Sequence, residues 1–395
     1  MQSIENQSFE GKTVIVRVDF NVPLNEQFEV TDTTRIHAAK PTIDMLVAAG
    51  AKCVLLSHLG RPKGIDPDLS LQHIVSSVSD ILGKKVNFCS ETIGNQAIEA
   101  ISSLPSGGVI LMENLRFHAE ETQGNSDFAQ SLAELGDAYV NDAFGTAHRA
   151  HASTAIIANH FPKAKFFGLL LKGEVQAIKQ VMETGQKPVL AIIGGAKVSS
   201  KLTILESLLD KIDDLIIGGG MVYTFIHAQG GSVGTSICEP DLKETALALL
   251  EKAKAKGVRV HLPTDVCIAD AFDNNATTKI APVDAIPNEW MALDCGPESL
   301  KHFGEVVHQA KTILWNGPLG VFEMETFAKG TIGLGKHIAS STAKGAYSLV
   351  GGGDSVAAVK QFGFEEQMSY VSTGGGAMLE SLEGKQLPGI AALLS

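Results

Sequence analysis

The stretch VLAIIGGAKVSSKLTILESLLDKIDDLIIGGG (189–220) contains two short apolar runs separated by a helix-like segment. Runs of this kind, without alternating polar residues, are typical of strands buried on both faces of a parallel sheet. Each run ends in glycines, at 194–195 and at 218–220. A strand, a helix and a second strand in this order predict a parallel sheet with helices packed on its faces.

The same alternation extends in both directions from this stretch. Further predicted strands are TVIVRVDF (13–20), CVLLSHL (53–59), VILMENL (109–115), AYVNDAF (138–144), VRVHLPT (258–264), TILWNGP (312–318), AYSLVGGG (346–353) and SYVSTGGG (369–376). Amphipathic segments at 199–212 and 241–257 predict helices between strands. The pattern predicts an α/β protein with two doubly wound, Rossmann-like parallel-sheet domains.

A chain of 395 residues has room for about two to three domains. The segment that begins near Gly168 and ends before Gly185 and Pro188 predicts a helix that connects two of them. The apolar C-terminal segment is expected to pack near the hinge and the N-terminal domain. We therefore predict four segments: a first domain over 1–167, the connecting helix over 168–187, a second domain over 188–376 and the C-terminal segment over 377–395.

The composition argues against several classes of binding partner and of structural site. A net charge of −12 argues against nucleic acid or an anionic membrane as the main partner. No apolar run approaches the roughly 20 residues that cross a bilayer, and no signal-peptide pattern opens the sequence. The five cysteines are scattered and form no CxxC pair, so neither a zinc site nor a disulfide framework is predicted. A reducing cytosol fits this usage, and we expect a cytoplasmic protein.

Arginines are concentrated in the first half of the chain, where five of the six precede residue 150. Arginine binds carboxylates and phosphates through paired hydrogen bonds, which lysine cannot do. Arg17 and Asp19 fall on one face of the first strand. Other basic side chains come at or just after the ends of later strands: His58, Arg61, Arg116 and Arg149. Ligands bind at that edge of an open α/β sheet, so the pattern favours an anion pocket over ordinary surface arginines.

The second half of the chain carries the glycine runs 194–195, 218–220, 351–353 and 374–376. Glycines at a strand end let backbone N–H groups approach a phosphate, although tight turns need glycine as well. Neither GxxxxGK[ST] nor GxGxxG occurs, which argues against the common NTPase loop and the dehydrogenase fold.

Polar residues beside these glycines are candidate ligands. Lys197 and Lys201 are predicted on one face at the start of a helix, where they would bind an anion or form a solvated face. Asp354 would act as a helix cap or as a magnesium ligand. Glu323 would bond ribose hydroxyls or face solvent. No HExxH or GxSxG motif is present, so the predicted chemistry is one of positioning and charge, which phosphoryl transfer needs most.

The motifs that carry these residues resemble those of one family. They are RVDFNVP (17–23), SHLGRP (57–62), ENLRFH (113–118), NDAFGTAHRAHAS (141–153), GGAKVSSK (194–201), WNGPLGVFE (315–323), GGGDS (351–355) and LEGKQLPG (382–389). In order and spacing they resemble the phosphoglycerate kinase family, from about residue 4 to the C-terminus. The resemblance implies a monomeric glycolytic enzyme whose hinge-bending brings Mg-ATP and 3-phosphoglycerate together.

The resemblance also implies roles for residues of this chain. Substrate-binding positions are Asp19, Phe20, Asn21, Arg35, His58, Leu59, Gly60, Arg61, Arg116 and Arg149. Nucleotide-binding positions are Gly195, Lys197, Lys201, Ala292, Asn316, Glu323, Gly351, Gly352, Gly353, Asp354 and Ser355, with Asp354 also carrying Mg²⁺. The transition state would be stabilised by Arg35, Lys197, Gly374, Gly375 and Gly376.

Three positions depart from the family pattern. Ala292 stands where glycine is usual beside the base, Thr235 replaces a usual lysine, and KGEV (172–175) differs at the connecting helix. We expect altered detail and retained activity. Two other hypotheses stay open at this point: a nucleotide-binding protein that uses the fold for partner recognition, and a dehydrogenase.

Overall fold

The computed structural model describes all 395 residues, which form two compact units. The first unit contains Met1–Gln176 and Gln386–Ser395, and the second contains Ala177–Lys385. Both are built on a six-stranded parallel sheet, so the predicted fold class is confirmed. The boundaries of the four predicted segments stay a prediction.

The sheet of the first unit has the strand order β3-β4-β2-β1-β5-β6, and every neighbouring pair is parallel. Its strands are β1 (Thr13–Arg17), β2 (Lys52–Leu56), β3 (Val86–Cys89), β4 (Val109–Met112), β5 (Ala138–Asn141) and β6 (Lys165–Phe167). The helices that begin in this unit are α1 (Thr34–Ala48), α2 (Val75–Leu82), α3 (Asn95–Ser102), α4 (Ala119–Gln123), α5 (Ser126–Ala133) and α6 (Leu169–Met182).

The core of this unit explains why the strands read as continuous apolar runs. Val14, Ile15 and Val16 of the central strand β1 are all fully buried, because helices cover both faces of the sheet. Helix α6 occupies most of the predicted connecting helix, and the division between the two units falls within it.

The main sheet of the second unit has the order β10-β8-β7-β15-β16-β17. The strands of this unit are β7 (Val189–Ile193), β8 (Asp214–Ile217), β9 (Ser232–Val233), β10 (Arg259–His261), β11 (Asp265–Ala269), β12 (Thr278–Pro282), β13 (Ala285–Ile286), β14 (Met291–Cys295), β15 (Thr312–Asn316), β16 (Tyr347–Val350) and β17 (Tyr370–Val371). The remaining helices are α7 (Leu202–Leu208), α8 (Val222–Ala228), α9 (Lys243–Ala255), α10 (Pro297–Gln309), α11 (Lys329–Ala343), α12 (Gly353–Gln361), α13 (Gly376–Leu382) and α14 (Pro388–Leu394).

A small antiparallel sheet, β12-β11-β14, adds to the second unit and was not among the predicted elements. Its outer strand β12 is mostly exposed, so its sequence lacks the apolar run that marks a buried strand. The short parallel pair β9 and β13 likewise has too few residues for a period to show.

The C-terminal residues divide between the two units. Helix α13 packs against α7 in the second unit, whereas α14 packs against β6 in the first. None of the helices combines the length and the hydropathy that a membrane span requires. All five cysteines are free thiols.

Candidate active site

One cluster in the first unit joins Asp19, Arg35 and His58, which follow β1, begin α1 and follow β2. Arg35 donates through Nη1 to both carboxylate oxygens of Asp19, each at 3.0 Å. The Nδ1 of His58 lies 3.9 Å from Oδ1 of Asp19. The Asp19 side chain is 10% exposed and that of Arg35 is 38% exposed, so the ion pair is open to solvent on the arginine side. The fold thus brings together three predicted residues from separate segments of the chain.

The guanidinium of Arg17, at the end of β1, is fully buried beside this cluster. Its Nε donates to Ser153 Oγ at 2.8 Å, Nη1 donates to the carbonyl of Val18, and Nη2 lies 3.3 Å from Nδ1 of His58. Ser153 in turn donates through N and Oγ to the buried carboxylate of Glu121, at 2.9 and 2.6 Å. The sequence analysis placed Arg17 among the basic residues of this edge without a binding role, and it did not single out Glu121. The available signal was a charged residue at the end of an apolar strand.

The histidines beside the arginines are held in the neutral form. Burial lowers the pKa of His58 well below its ordinary value, and the charges of Arg17 and Arg116 add to the effect. Burial likewise lowers the pKa of His151 to about 4, again with help from the same arginines. The buried Nε of Arg116 has no hydrogen-bond partner in the protein. A concentration of positive charge with an unpartnered buried donor fits the binding of a small anion.

The turn after β2 is held by side chains from two other segments. Oδ1 of Asn21 accepts a hydrogen bond from the N–H of Gly60 at 2.8 Å. Nη1 of Arg116 donates to the carbonyl of the same glycine at 2.7 Å. Asn21 and Arg116 therefore fix the backbone of Gly60, and all three residues were predicted from the substrate motifs.

The remaining predicted substrate residues divide between core and surface. Phe20 and Leu59 are buried in the hydrophobic core of the first unit. Arg61 and Arg149 are exposed, at the carboxyl edge of the same sheet. Burial lowers the pKa of Arg116, and the charge of Arg61 contributes to the shift, so the two guanidinium groups are close enough to repel. A bound anion would relieve that repulsion.

In the second unit, a cavity of about 550 Å³ lies at the glycine-rich edge of the main sheet. Four predicted nucleotide residues line it: Gly195, Ala292, Glu323 and Asp354. Aromatic and aliphatic side chains that were not predicted also line it, among them Tyr223, Ile237 and Phe272. The size and mostly apolar lining suit the nucleoside part of a nucleotide. Phe272 lies in an irregular segment with no periodic pattern, so the sequence held no signal for it.

The predicted helix start at Lys197 and Lys201 is wrong. Helix α7 begins at Leu202, so Lys197 lies in the preceding turn and Lys201 directly before the helix. Ser200 Oγ donates to the carbonyl of Lys197 at 2.8 Å. Side-chain hydrogen bonds of this kind compete with the helical backbone pattern, which explains the late start.

Lys201 is tied to the strand β15. Its Nζ donates to Oδ1 of Asn316 at 2.6 Å, and Nδ2 of Asn316 donates to the carbonyl of Gly351 at 2.8 Å. Burial lowers the pKa of Lys201, while the charge of Asp354 acts in the opposite direction. Asn316, Lys201 and the 351–353 glycines therefore form one connected group, whereas Lys197 is exposed beside it.

Two glycines of the 351–353 run are required by their surroundings. A Cβ added at Gly351 would lie 1.7 Å from the sulfur of Met378. Gly352 has a φ of +89°, and a Cβ there would lie 2.5 Å from Nδ2 of Asn316. The backbone at this point therefore approaches its neighbours more closely than any side chain would allow.

The run leads directly into α12, which begins at Gly353. The exposed carboxylate of Asp354 stands in the first turn of this helix, and Ser355 Oγ accepts from the N–H of Gly317. A helix N-terminus beside exposed glycine backbone is a favourable place for phosphate.

The last glycine run, Gly374, Gly375 and Gly376, lies before and at the start of α13. The N–H of Gly374 donates to Ser372 Oγ at 3.1 Å, so this amide is engaged within the protein. Gly375 has a φ of +48°, which favours glycine at that position.

The chain matches the family model described as "Phosphoglycerate kinase" over residues 4–385. It is 50% identical to the "Phosphoglycerate kinase, cytosolic" of Nicotiana tabacum over 391 residues, which cover 99% of this chain and 97% of the relative. The "Phosphoglycerate kinase" of Porphyromonas gingivalis is 49% identical, with 99% of both chains covered.

A solved structure supports the same assignment. The "Structure of phosphoglycerate kinase from Coxiella burnetii" superposes with a TM-score of 0.92 at 42% identity, covering 99% of this chain and 98% of the other. The match to the family model, the sequence similarity and the structural similarity each cover nearly the whole chain. This protein therefore belongs to the phosphoglycerate kinase family.

Proposed function

We propose that this protein catalyses the reversible transfer of a phosphoryl group between ATP and the carboxylate of 3-phosphoglycerate, a step of glycolysis. A carboxylate oxygen of the acceptor forms a bond to the γ-phosphorus while the bond from that phosphorus to the bridging oxygen of ADP breaks. The products are 1,3-bisphosphoglycerate and ADP. The observation that supports this most is the basic cluster with the unpartnered Nε of Arg116, which is suited to a substrate that carries a phosphate and a carboxylate.

In the first unit, the arginines and His58 would grip the acceptor. His58 is neutral, so it would act as a hydrogen-bond partner, and the charge would come from Arg35, Arg61, Arg116 and Arg149. Asp19 and Asn21 would hold the hydroxyl and carboxylate region of the glycerate. The ion pair between Arg35 and Asp19 keeps the guanidinium in place before the substrate arrives.

In the second unit, the nucleoside would occupy the 550 Å³ cavity and the phosphates would lie toward α12. Lys201 and the backbone of Gly351, Gly352 and Gly353 would contact the phosphates, with Asn316 orienting Lys201. Glu323 lines the cavity, where it would bond the ribose hydroxyls. Lys197 would follow the phosphoryl group during transfer.

Magnesium would be held at Asp354. No group of three or more acidic, histidine or cysteine side chains is arranged to hold a metal ion. A single exposed carboxylate beside a phosphate site nevertheless fits Mg²⁺, which usually binds one or two carboxylates together with substrate phosphates. When bound, the ion would neutralise charge on the phosphates, and Asp354 would set its place relative to the helix.

The catalytic step would depend on electrostatics. Negative charge spreads over the equatorial oxygens of the transferred group, and Arg35, Lys197 and backbone amides of Gly374, Gly375 and Gly376 would stabilise it. The N–H of Gly374 would have to leave Ser372 Oγ to take part. Hinge-bending would bring the two substrates together and exclude water. A monomeric state and a cytosolic location are part of the proposal, and light scattering and cell fractionation test them.

A coupled assay tests the reaction. The purified protein is mixed with Mg-ATP, 3-phosphoglycerate, excess glyceraldehyde-3-phosphate dehydrogenase and NADH. We expect loss of NADH absorbance that requires both substrates, because 1,3-bisphosphoglycerate is consumed by the coupling enzyme. No loss of absorbance from folded protein would refute the proposed function.

A further inference from the structure

The carboxylate of Glu239 bonds to the turn that carries Lys197 and Lys201. Its Oε2 accepts from the N–H of Ser199 at 3.1 Å, and its Oε1 accepts from Ser199 Oγ at 2.5 Å. The N–H of Val198 also bonds to this carboxylate. Glu239 thus holds the backbone midway between the two lysines.

Two other side-chain bonds also hold this turn: Ser200 Oγ donates to the carbonyl of Lys197, and Lys201 Nζ donates to Oδ1 of Asn316. Strand β7 ends at Ile193 and helix α7 begins at Leu202, so the residues between them have no regular secondary structure. Val198 is fully buried, but its neighbours Lys197 and Ser199 are exposed. The Lys201 end is fixed from β15, so the bonds from Ser199 to Glu239 act mainly on the exposed part of the turn that carries Lys197.

Glu239 itself is hydrogen-bonded to helix α8 of the second unit. Its N–H donates to Thr224 Oγ1 of helix α8 at 3.0 Å. It follows Ile237, which lines the nucleotide cavity, by two residues. The Glu239 carboxylate therefore joins the wall of that cavity to the turn that carries the lysines.

The carboxylate is ionised under ordinary conditions. Partial burial acts to raise the pKa of Glu239, but the hydrogen bonds from Ser199 and Val198 and the charge of Lys197 outweigh it and lower the pKa. A carboxylate that accepts several N–H and O–H bonds makes stronger contacts than a neutral acceptor.

We propose that Glu239 is a positioning residue that holds the 197–201 turn so that Lys197 and Lys201 face the phosphates of the nucleotide. The inference rests on the proposed function, since it concerns the same lysines. Glu239 itself would contact neither substrate. A competing account is that a negative charge so close to the phosphate site repels the nucleotide, and that account predicts the opposite effect of removing it.

The test uses the full chain, four variants of the contact and one control variant. Glu239→Ala removes the tether, Ser199→Ala removes one of its partners, and the double variant removes both. Glu239→Gln keeps an acceptor oxygen without the charge. Glu244→Ala is the matched control, because Glu244 is an exposed glutamate in the first turn of the neighbouring helix α9.

We expect Glu239→Ala to lower kcat by about ten- to a hundred-fold, since misplacement of a catalytic group by about 1 Å has effects of that size. The KM for 3-phosphoglycerate and the Tm should stay near those of the parent protein. Glu239→Gln should recover a large part of the loss, and Glu244→Ala should behave as the parent. The double variant should be no worse than Glu239→Ala, because both changes act on one contact.

Three kinetic results would overturn the inference. They are an unchanged kcat in Glu239→Ala, a lower KM for Mg-ATP in that variant as the repulsion account requires, and fully additive losses in the double variant. A clear fall in Tm alongside the loss of kcat would assign Glu239 a general structural role and would also overturn the inference. If the parent protein itself shows no turnover, the proposed function fails, which is a different outcome from a parent that turns over while Glu239→Ala matches it.

Discussion

The contact between Arg35 and Asp19 makes a quantitative prediction, because its effects on stability and on catalysis should differ in size. Arg35 donates to both oxygens of Asp19 at 3.0 Å, but its side chain is 38% exposed. An ion pair so open to solvent contributes about 0 to 1 kcal/mol to folding. Replacement of Arg35 by alanine should therefore lower the free energy of unfolding by about 1 kcal/mol or less.

The effect on turnover should be much larger. Loss of one donor aimed at developing negative charge costs about 2.7 to 4 kcal/mol of transition-state stabilisation, or about a hundred- to a thousand-fold in kcat. Arg35→Ala should also raise the KM for 3-phosphoglycerate, since the same guanidinium binds the acceptor. The turnover of Arg35→Lys should fall between those of the parent protein and Arg35→Ala, because lysine supplies the charge without the planar guanidinium group.

The measurements are the coupled assay and urea denaturation of the same preparations. Arg259→Ala is the control, because Arg259 also pairs with an aspartate, through hydrogen bonds of 2.7 and 2.6 Å to Asp214, and lies on β10, an outer strand of the second sheet. The control should keep its turnover. A folded Arg35→Ala variant with turnover within about two-fold of the parent would refute the role of Arg35, since the expected loss is at least a hundred-fold.

Three further predictions concern the second unit. Lys197→Ala should lower turnover by about a hundred-fold or more while the KM for 3-phosphoglycerate is kept; near-normal turnover would remove Lys197 from the mechanism. Asp354→Asn should raise the Mg²⁺ concentration needed for half-maximal turnover, and an unchanged Mg²⁺ titration would contradict its role as the ligand. Burial raises the pKa of Asp294 to about 7, so the folded state binds more protons than the unfolded state between about pH 4 and 7 and stability falls as the pH rises through that window. Asp294→Asn should remove roughly 2 kcal/mol of this dependence in urea denaturation between pH 5 and 7, and an unaltered slope would show that other groups cause it.

The sequence determined the class of fold because strands buried on both faces leave a local signature. The runs at 189–193 and 214–217 contain almost only apolar residues, and each becomes a strand of the second sheet. Strand β12 carries no such signature, since most of its residues face solvent, and it was missed for that reason. The start of α7 was misplaced because the side-chain bonds of Ser200 and of Ser199 are invisible to a periodicity argument.

The sequence also pointed to the residues that carry charge to the sheet edges, because arginines and glycines at the ends of apolar runs stand out locally. Only the tertiary structure brought Asp19 to Arg35 and Lys201 to Asn316, which lies 115 positions away. It alone showed that Arg17 is buried, that His58 is neutral and that Glu239 bonds to the turn between the lysines. These properties depend on burial and on partners distant in the chain, and neither can be inferred from the residues that are adjacent in sequence.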